Sequence, residues 1–206
     1  PNGTLRELAH QQIVWSADKA AVPGLRRLVR TGSQPQTRVQ AMAALAELGR
    51  LAKRDVVSAL DDTHPAVRRH AIRLGEGLAA GDPDWIERLA KRADDPDPFV
   101  RQQLAYSLGQ ATQPKAGKTL AKLLLRDAAD PYLAAAILSS SLPHFAAIQK
   151  TALSSSSIPE AVAKQIQQIA TRIGAKPEII TEAESNIPQP AVATNRSDVL
   201  KQFAQA

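Results

Sequence analysis

The chain has 206 residues, 44% of them hydrophobic but only 3% aromatic, with no cysteine and a formal net charge of +6. The lack of cysteine excludes a disulfide, a thiolate metal site, a cysteine nucleophile and a covalent haem attachment within these residues. The basic balance invites a phosphate polymer or an acidic membrane surface. However, Asp61, Asp62, Asp94, Asp95 and Asp97 sit among the arginines, and aromatics for base stacking are scarce, which argues against nucleic acid. With Ala and Leu supplying most of the apolar mass, close helix packing and high helix propensity make the expected class all-α.

The elements recur. Leu5-Arg6, Thr37-Arg38, Val67-Arg68 and Val100-Arg101 head four similar phrases and Leu133-Ala134 heads a fifth, at steps of 32, 30, 33 and 33 residues. A fixed period of this size marks a solenoid, in which each unit buries its apolar face by stacking on its neighbours. Two positions before each head stand Gly3, Pro35, Pro65, Pro98 and Pro131, which predict the corner between an A helix and a B helix. Four residues after each head come Ala9, Ala41, Ala71, Leu104 and Ile137, and eight after it Ile13, Leu45, Gly75, Leu108 and Ser141. These offsets keep to one helical face, the expected buried side. Gly75 and Ser141 weaken that stripe, and Leu74 or Leu142 is expected to compensate.

A helices are expected over Ala21–Val29, Arg54–Leu60, Trp85–Ala93 and Ala116–Leu125. Asp61, Asp94 and Asp127 follow three of them in equivalent turns, where an aspartate can cap the next helix or receive Arg68 or Arg101. A sixth pair runs over Phe145–Leu153 and then a helix with Val162, Ile166, Ile169 and Ile173 on one face. Its opposite face carries Lys164, Gln165, Gln167, Gln168 and Arg172 and suits a terminal cap meeting water. Ser154–Ser157 reads as a loop between them. Residues 1–175 thus form the repeat array. From Lys176 to Thr194 a linker follows, with Pro177, Pro188 and Pro190. Ser197 then caps a short helix bearing Val199, Leu200 and Phe203. The chain starts at Pro1 with no charged-then-apolar leader, holds no apolar run near the ~18 residues of a membrane span, and reads as a segment of a longer polypeptide.

A catalytic reading fails at its usual entry points. His10, His64, His70 and His144 have no partner four residues away, no His or Cys cluster has zinc spacing, and no glycine-rich phosphate loop follows a strand. Ser139-Ser140-Ser141 lacks the flanking glycines of a nucleophile elbow. Trp15 and Trp85 read as helix-packing anchors, with a contact surface as the alternative. No catalytic, cofactor-binding or metal-binding residue is assigned. The inner face of a solenoid is lined by exposed B-helix positions, here Val39 and Ala43, Arg69 and Arg73, Gln102 and Tyr106, Ala135 and Ser139. Tyr and Arg carry much of the energy of protein interfaces, so Arg69, Arg73, Gln102 and Tyr106 are the partner-binding candidates; a merely solvated face is the alternative.

The phrases PAVRRHAIRLGEGL (65–78) and DPDPFVRQQLAYSLGQ (95–110) resemble HEAT and HEAT-like repeats, which place Pro, Val and Arg at the corner and Ala, Leu and Gly behind. Departures fall at Gly75, where Leu is expected, and at Ala134, where Arg is lost. The resemblance implies a right-handed α-α superhelix, an α-solenoid of about five to six HEAT-like hairpins. In addition, NGTLRELAHQQIVW (2–15), AAVPGLRRLVR (20–30), DPYLAAAILSSS (130–141) and NRSDVLKQFAQA (195–206) resemble the HEAT region of large planctomycete membrane-bound dehydrogenase and cytochrome c proteins. That family implies a quinoprotein-dehydrogenase-like β-propeller before the array and a haem-binding module with a Cys-x-x-Cys-His motif after it. Haem c and a quinone cofactor would belong to the parent polypeptide, not to these residues, and the implied location is the periplasm or cell envelope. The expected function is a non-catalytic scaffold joining those two modules. A free-standing protein-binding adaptor is the second reading. A HEAT-like DNA glycosylase is the third; it needs a carboxylate that the stripe does not place beside Arg69 and Arg73.

Overall fold

The computed structural model describes residues 2–78, 83–153 and 159–174. Ser154–Ser157, the linker from Lys176 and the segment with Ser197, Val199, Leu200 and Phe203 lie outside the described residues. Within them the chain is all-α and of the helical-repeat solenoid class, with eleven α-helices and no strand. These are α1 (Gly3–Trp15), α2 (Val22–Thr31), α3 (Pro35–Glu47), α4 (Lys53–Leu60), α5 (Pro65–Gly75), α6 (Pro83–Ala90), α7 (Pro98–Leu108), α8 (Pro114–Asp127), α9 (Pro131–Ser140), α10 (Phe145–Leu153) and α11 (Glu160–Arg172). No single helix among the described residues is long and apolar enough to cross a membrane.

Gly3, Pro35, Pro65, Pro98 and Pro131 each open a helix. Proline suits that place because its φ is helical already and the missing N–H belongs to the first turn, where no intrahelical acceptor exists. Pro83 and Pro114 do the same for α6 and α8, so proline also marks A helices here. For that reason α8 begins earlier than Ala116; it also runs on to Asp127.

Two compact units make up the chain, Pro1–Ser107 and Leu108–Ala206. In the first, α2 packs on α3 and α4 on α5, while α2 stacks on α4 and α1, α3 and α5 stack in order. Ala41, Leu45, Ala71, Gly75 and Leu104 are buried, as the four-and-eight spacing predicts. Gly75 leaves no gap, however. A Cβ there would run into the indole of Trp85, which is 2% exposed and fills the space that a leucine would take. Leu74, only half-buried, compensates for nothing.

α1 departs from expectation. None of its residues is buried, so Ala9 and Ile13 form no core stripe, and Trp15 is 80% exposed rather than a packing anchor. The helix is packed from one side, by α3. Its order comes partly from Asn2, whose Oδ1 accepts the N–H groups of Thr4 and Leu5 as an N-cap.

In the second unit α8 packs on α9 and α10, and α9 and α10 pack on α11. Gly117 permits the close approach of α8 and α10: a Cβ on it would lie 2.7 Å from Ala147 Cβ. Ser141 is fully buried at its stripe position because its hydroxyl donates back to the Ile137 carbonyl. Leu142 is exposed and does not substitute for it. On α11, Val162, Ile166 and Ile169 are buried, whereas Ile173 falls past the last turn and is exposed. Lys164, Gln168 and Arg172 meet water; Gln165 and Gln167 are half-buried, so the outer face is less open than its composition suggests.

Candidate functional site

The repeat arginines hold corners together. Arg38 Nε and Nη2 donate to Asp62 Oδ2 and Oδ1 at 2.7 and 2.8 Å, while Nη1 donates to the Gly32 carbonyl at 2.7 Å. Arg68 repeats the pattern, with both bonds to Asp95 at 2.7 Å and Nη1 on the carbonyl of Asp62 at 2.9 Å. Arg101 Nη1 in turn donates to the Asp95 carbonyl at 2.7 Å. Each arginine therefore grips the corner before its own helix, and Arg38 and Arg68 also reach the carboxylate of the next corner. Planar, two-point pairing of this kind is what a guanidinium does best.

At two of the three turns the aspartate that receives a repeat arginine lies one position beyond the one expected. Asp62 and Asp95 receive the arginines, whereas Asp61 pairs at the surface with Arg92 at 3.0 Å. Capping also falls elsewhere: Asp97 accepts the N–H groups of Phe99 and Val100, and Asp130 those of Tyr132 and Leu133. Burial pushes the Asp62 and Asp95 carboxyls up, but the hydrogen bonds from Arg38 and Arg68, the backbone N–H groups of His64 and Asp97, and the nearby positive charges outweigh it. Both are held below the ordinary aspartate value.

One helix position away from this ladder, the surroundings change. Arg69, Arg73, Gln102 and Tyr106 line a single groove of about 160 Å³ in the first unit. Helices α5 and α7 position them. Buried Val67, Arg68, Ala71 and Ile72 fix the inner side of α5, and Val100, Leu104 and Ala105 that of α7, so offsets of two and six turn outward together. Among the described residues neither Arg69 nor Arg73 makes an ion pair or a side-chain hydrogen bond. Tyr106 is 45% exposed.

Three lining residues escape the stripe reading: His70, Phe99 and Gln103. Phe99 is 60% exposed and directly follows the helix-opening Pro98; an apolar ring at a first-turn position was the signal available for it. Burial, then the charges of Arg73 and Arg69, push the His70 imidazole down from its ordinary value. His70 also borders a second, larger groove of about 390 Å³ that includes Val39 and Ala43 of the expected stripe together with Arg6, Glu7 and His10. There Arg6 Nε donates to Gln40 Oε1 at 2.9 Å, and Gln40 Nε2 to Glu7 Oε2 at 2.8 Å. Ala135 and Ser139, the fifth-repeat members of the stripe, are exposed in the second unit.

The arrangement offers cations, amides and aromatic edges, which suit noncovalent contact. No carboxylate lines the smaller groove, and among the described residues no group of three or more His, Asp or Glu could hold a metal ion. The hydroxyl of Ser139 donates to the Ala136 carbonyl at 2.8 Å, and the His144 ring meets the Leu108 carbonyl at 3.1 Å.

Residues 54–141, from α4 through α9, match the family of HEAT repeats. The chain therefore carries a HEAT-like repeat region, a helical-repeat scaffold of the kind that mediates protein interaction. A comparison with curated proteins found no match.

Proposed function

We propose that this HEAT-like region is a non-catalytic scaffold that holds a partner protein in the groove of α5 and α7 through Arg69, Arg73, Gln102 and Tyr106. One observation carries the reading: four residues whose chemistry suits an interface line one groove, and its two arginines have no partner among the described residues. The arginines of the ladder sit one position away and are fully engaged. Arg73→Ala combined with Tyr106→Ala should abolish capture of the partner in a pulldown and leave the melting temperature unchanged. Retained capture by the folded double variant would refute the groove.

A narrower form of this proposal identifies the partner modules. The resemblance at residues 2–15, 20–30, 130–141 and 195–206 supports a place between a quinoprotein-dehydrogenase-like propeller and a cytochrome c module of one envelope polypeptide. The array would then set the distance and orientation between them, while the haem c and the quinone cofactor stay in the neighbours. Timing substrate-to-haem reduction in that parent with and without residues 1–175 tests it. Slower reduction without the array is expected; an unchanged rate with both modules intact would overturn this narrower form.

A further inference from the structure

We infer that the occupant of the α5–α7 groove is an acidic, extended segment of a partner protein, an inference that rests on the groove being the contact surface. Charge complementarity carries it. In the first unit Arg26, Arg38, Arg68 and Arg92 are each bonded to an aspartate, at 3.2, 2.7, 2.7 and 3.0 Å respectively. Arg69 and Arg73 have no such partner among the described residues, although they stand one turn apart on α5, where like charges repel. Glu76 follows three residues later, but it is held by Ser107 and Gln103 and does not line the groove. An acidic segment would relieve the repulsion between the two arginines.

Spacing fits an extended chain. Side chains one helical turn apart have Cβ atoms about 5–6 Å apart. Residues on one side of an extended strand recur at about 6.6 Å. Two acidic residues separated by one can therefore meet Arg69 and Arg73 in turn. The exposed rings of Phe99 and Tyr106 offer apolar contact to a neighbouring side chain, and Gln102 offers an amide to its backbone. The cationic surface is short: beyond His70 the lining includes Glu7, which already accepts from Gln40. A phosphate polymer calls for a continuing basic stripe, so a short acidic protein segment fits better.

Anisotropy of fluorescein-labelled short peptides titrated with the full chain tests this. The peptides alternate valine with glutamate, glutamine or lysine, and a thymidine oligonucleotide serves as a fourth probe. The glutamate peptide should bind at least about tenfold more tightly than the other three, and added salt should weaken it. Arg69→Ser with Arg73→Ser should remove that preference. Arg69→Glu with Arg73→Glu should transfer it to the lysine peptide, a gain that loss of folding cannot produce. Equal binding of glutamine and glutamate peptides, both lost on Tyr106→Ala, would overturn the acidic occupant while leaving the groove in place. Tighter binding of the oligonucleotide would overturn it in favour of a phosphate polymer. Binding of no probe would overturn the acidic occupant, and retained capture of the partner by the Arg73→Ala, Tyr106→Ala variant would separately remove the groove.

Discussion

Arg68 and Arg69 are neighbours of identical chemistry with opposite surroundings. The Arg68 guanidinium is almost wholly buried against Asp95 with two bonds of 2.7 Å, while Arg69 faces a groove. Removing one partner of a buried ion pair strands the other, so Arg68→Ala should destabilise the fold by about 3–5 kcal/mol in chemical denaturation. Replacing both partners with apolar residues of similar size should cost much less, since no charge is then left unmatched. Acid should act on the same ladder. Asp62 and Asp95 have folded values below the unfolded 3.8, so their contribution is present above that pH and is lost as pH falls through the lowered values. His70 adds loss at higher pH: its folded value lies below the unfolded 6.5, so the unfolded chain takes up the proton more readily as pH drops past 6.5. Denaturation of His70→Gln against the parent should show the parent losing stability relative to the variant as pH falls through this region. A gap independent of pH would contradict the assignment.

At the scale of the element, helix starts were legible because proline announces them locally, and most B-helix cores because the four-and-eight spacing depends on helix geometry alone. What the sequence could not convey was which neighbour fills a given position. Gly75 looked like a weak point in the stripe, yet Trp85 from the next helix occupies its space. Gly75→Ala should therefore destabilise by about 1–3 kcal/mol through overpacking, despite alanine's better helix propensity, and a stabilised variant would show that the indole is not packed there. Trp15 shows the reverse error: its pattern on α1 suited an anchor, but α1 is packed from one side by α3 and the ring stays in water. Trp15→Ser should change stability by no more than about 0.5 kcal/mol. The aspartate register was missed by a single residue because Asp61 and Asp62 are adjacent and chemically equal; only the fold decides which faces Arg38.

For the whole molecule, the regularity that makes the repeats recognisable is the part least available for binding. Val67, Val100 and Leu133 are buried, and Arg38, Arg68 and Asp95 are spent on one another or on corner carbonyls. The four candidate residues occupy positions at which the repeats differ, and their outward place was legible because helix geometry turns these offsets outward whatever their identity. Phe99 and His70 were not, because their place in the groove depends on how α5 sits beside α7. The most direct test compares Arg68→Ala with Arg69→Ala by partner affinity per folded molecule, at a temperature where both are folded. Arg69→Ala should weaken binding by about tenfold or more with the melting temperature unchanged. Arg68→Ala should bind normally but melt lower, by about 2–4 °C for each kcal/mol lost. Normal affinity in Arg69→Ala, or lost affinity in folded Arg68→Ala, would contradict this division between the residues that hold the array and those that use it.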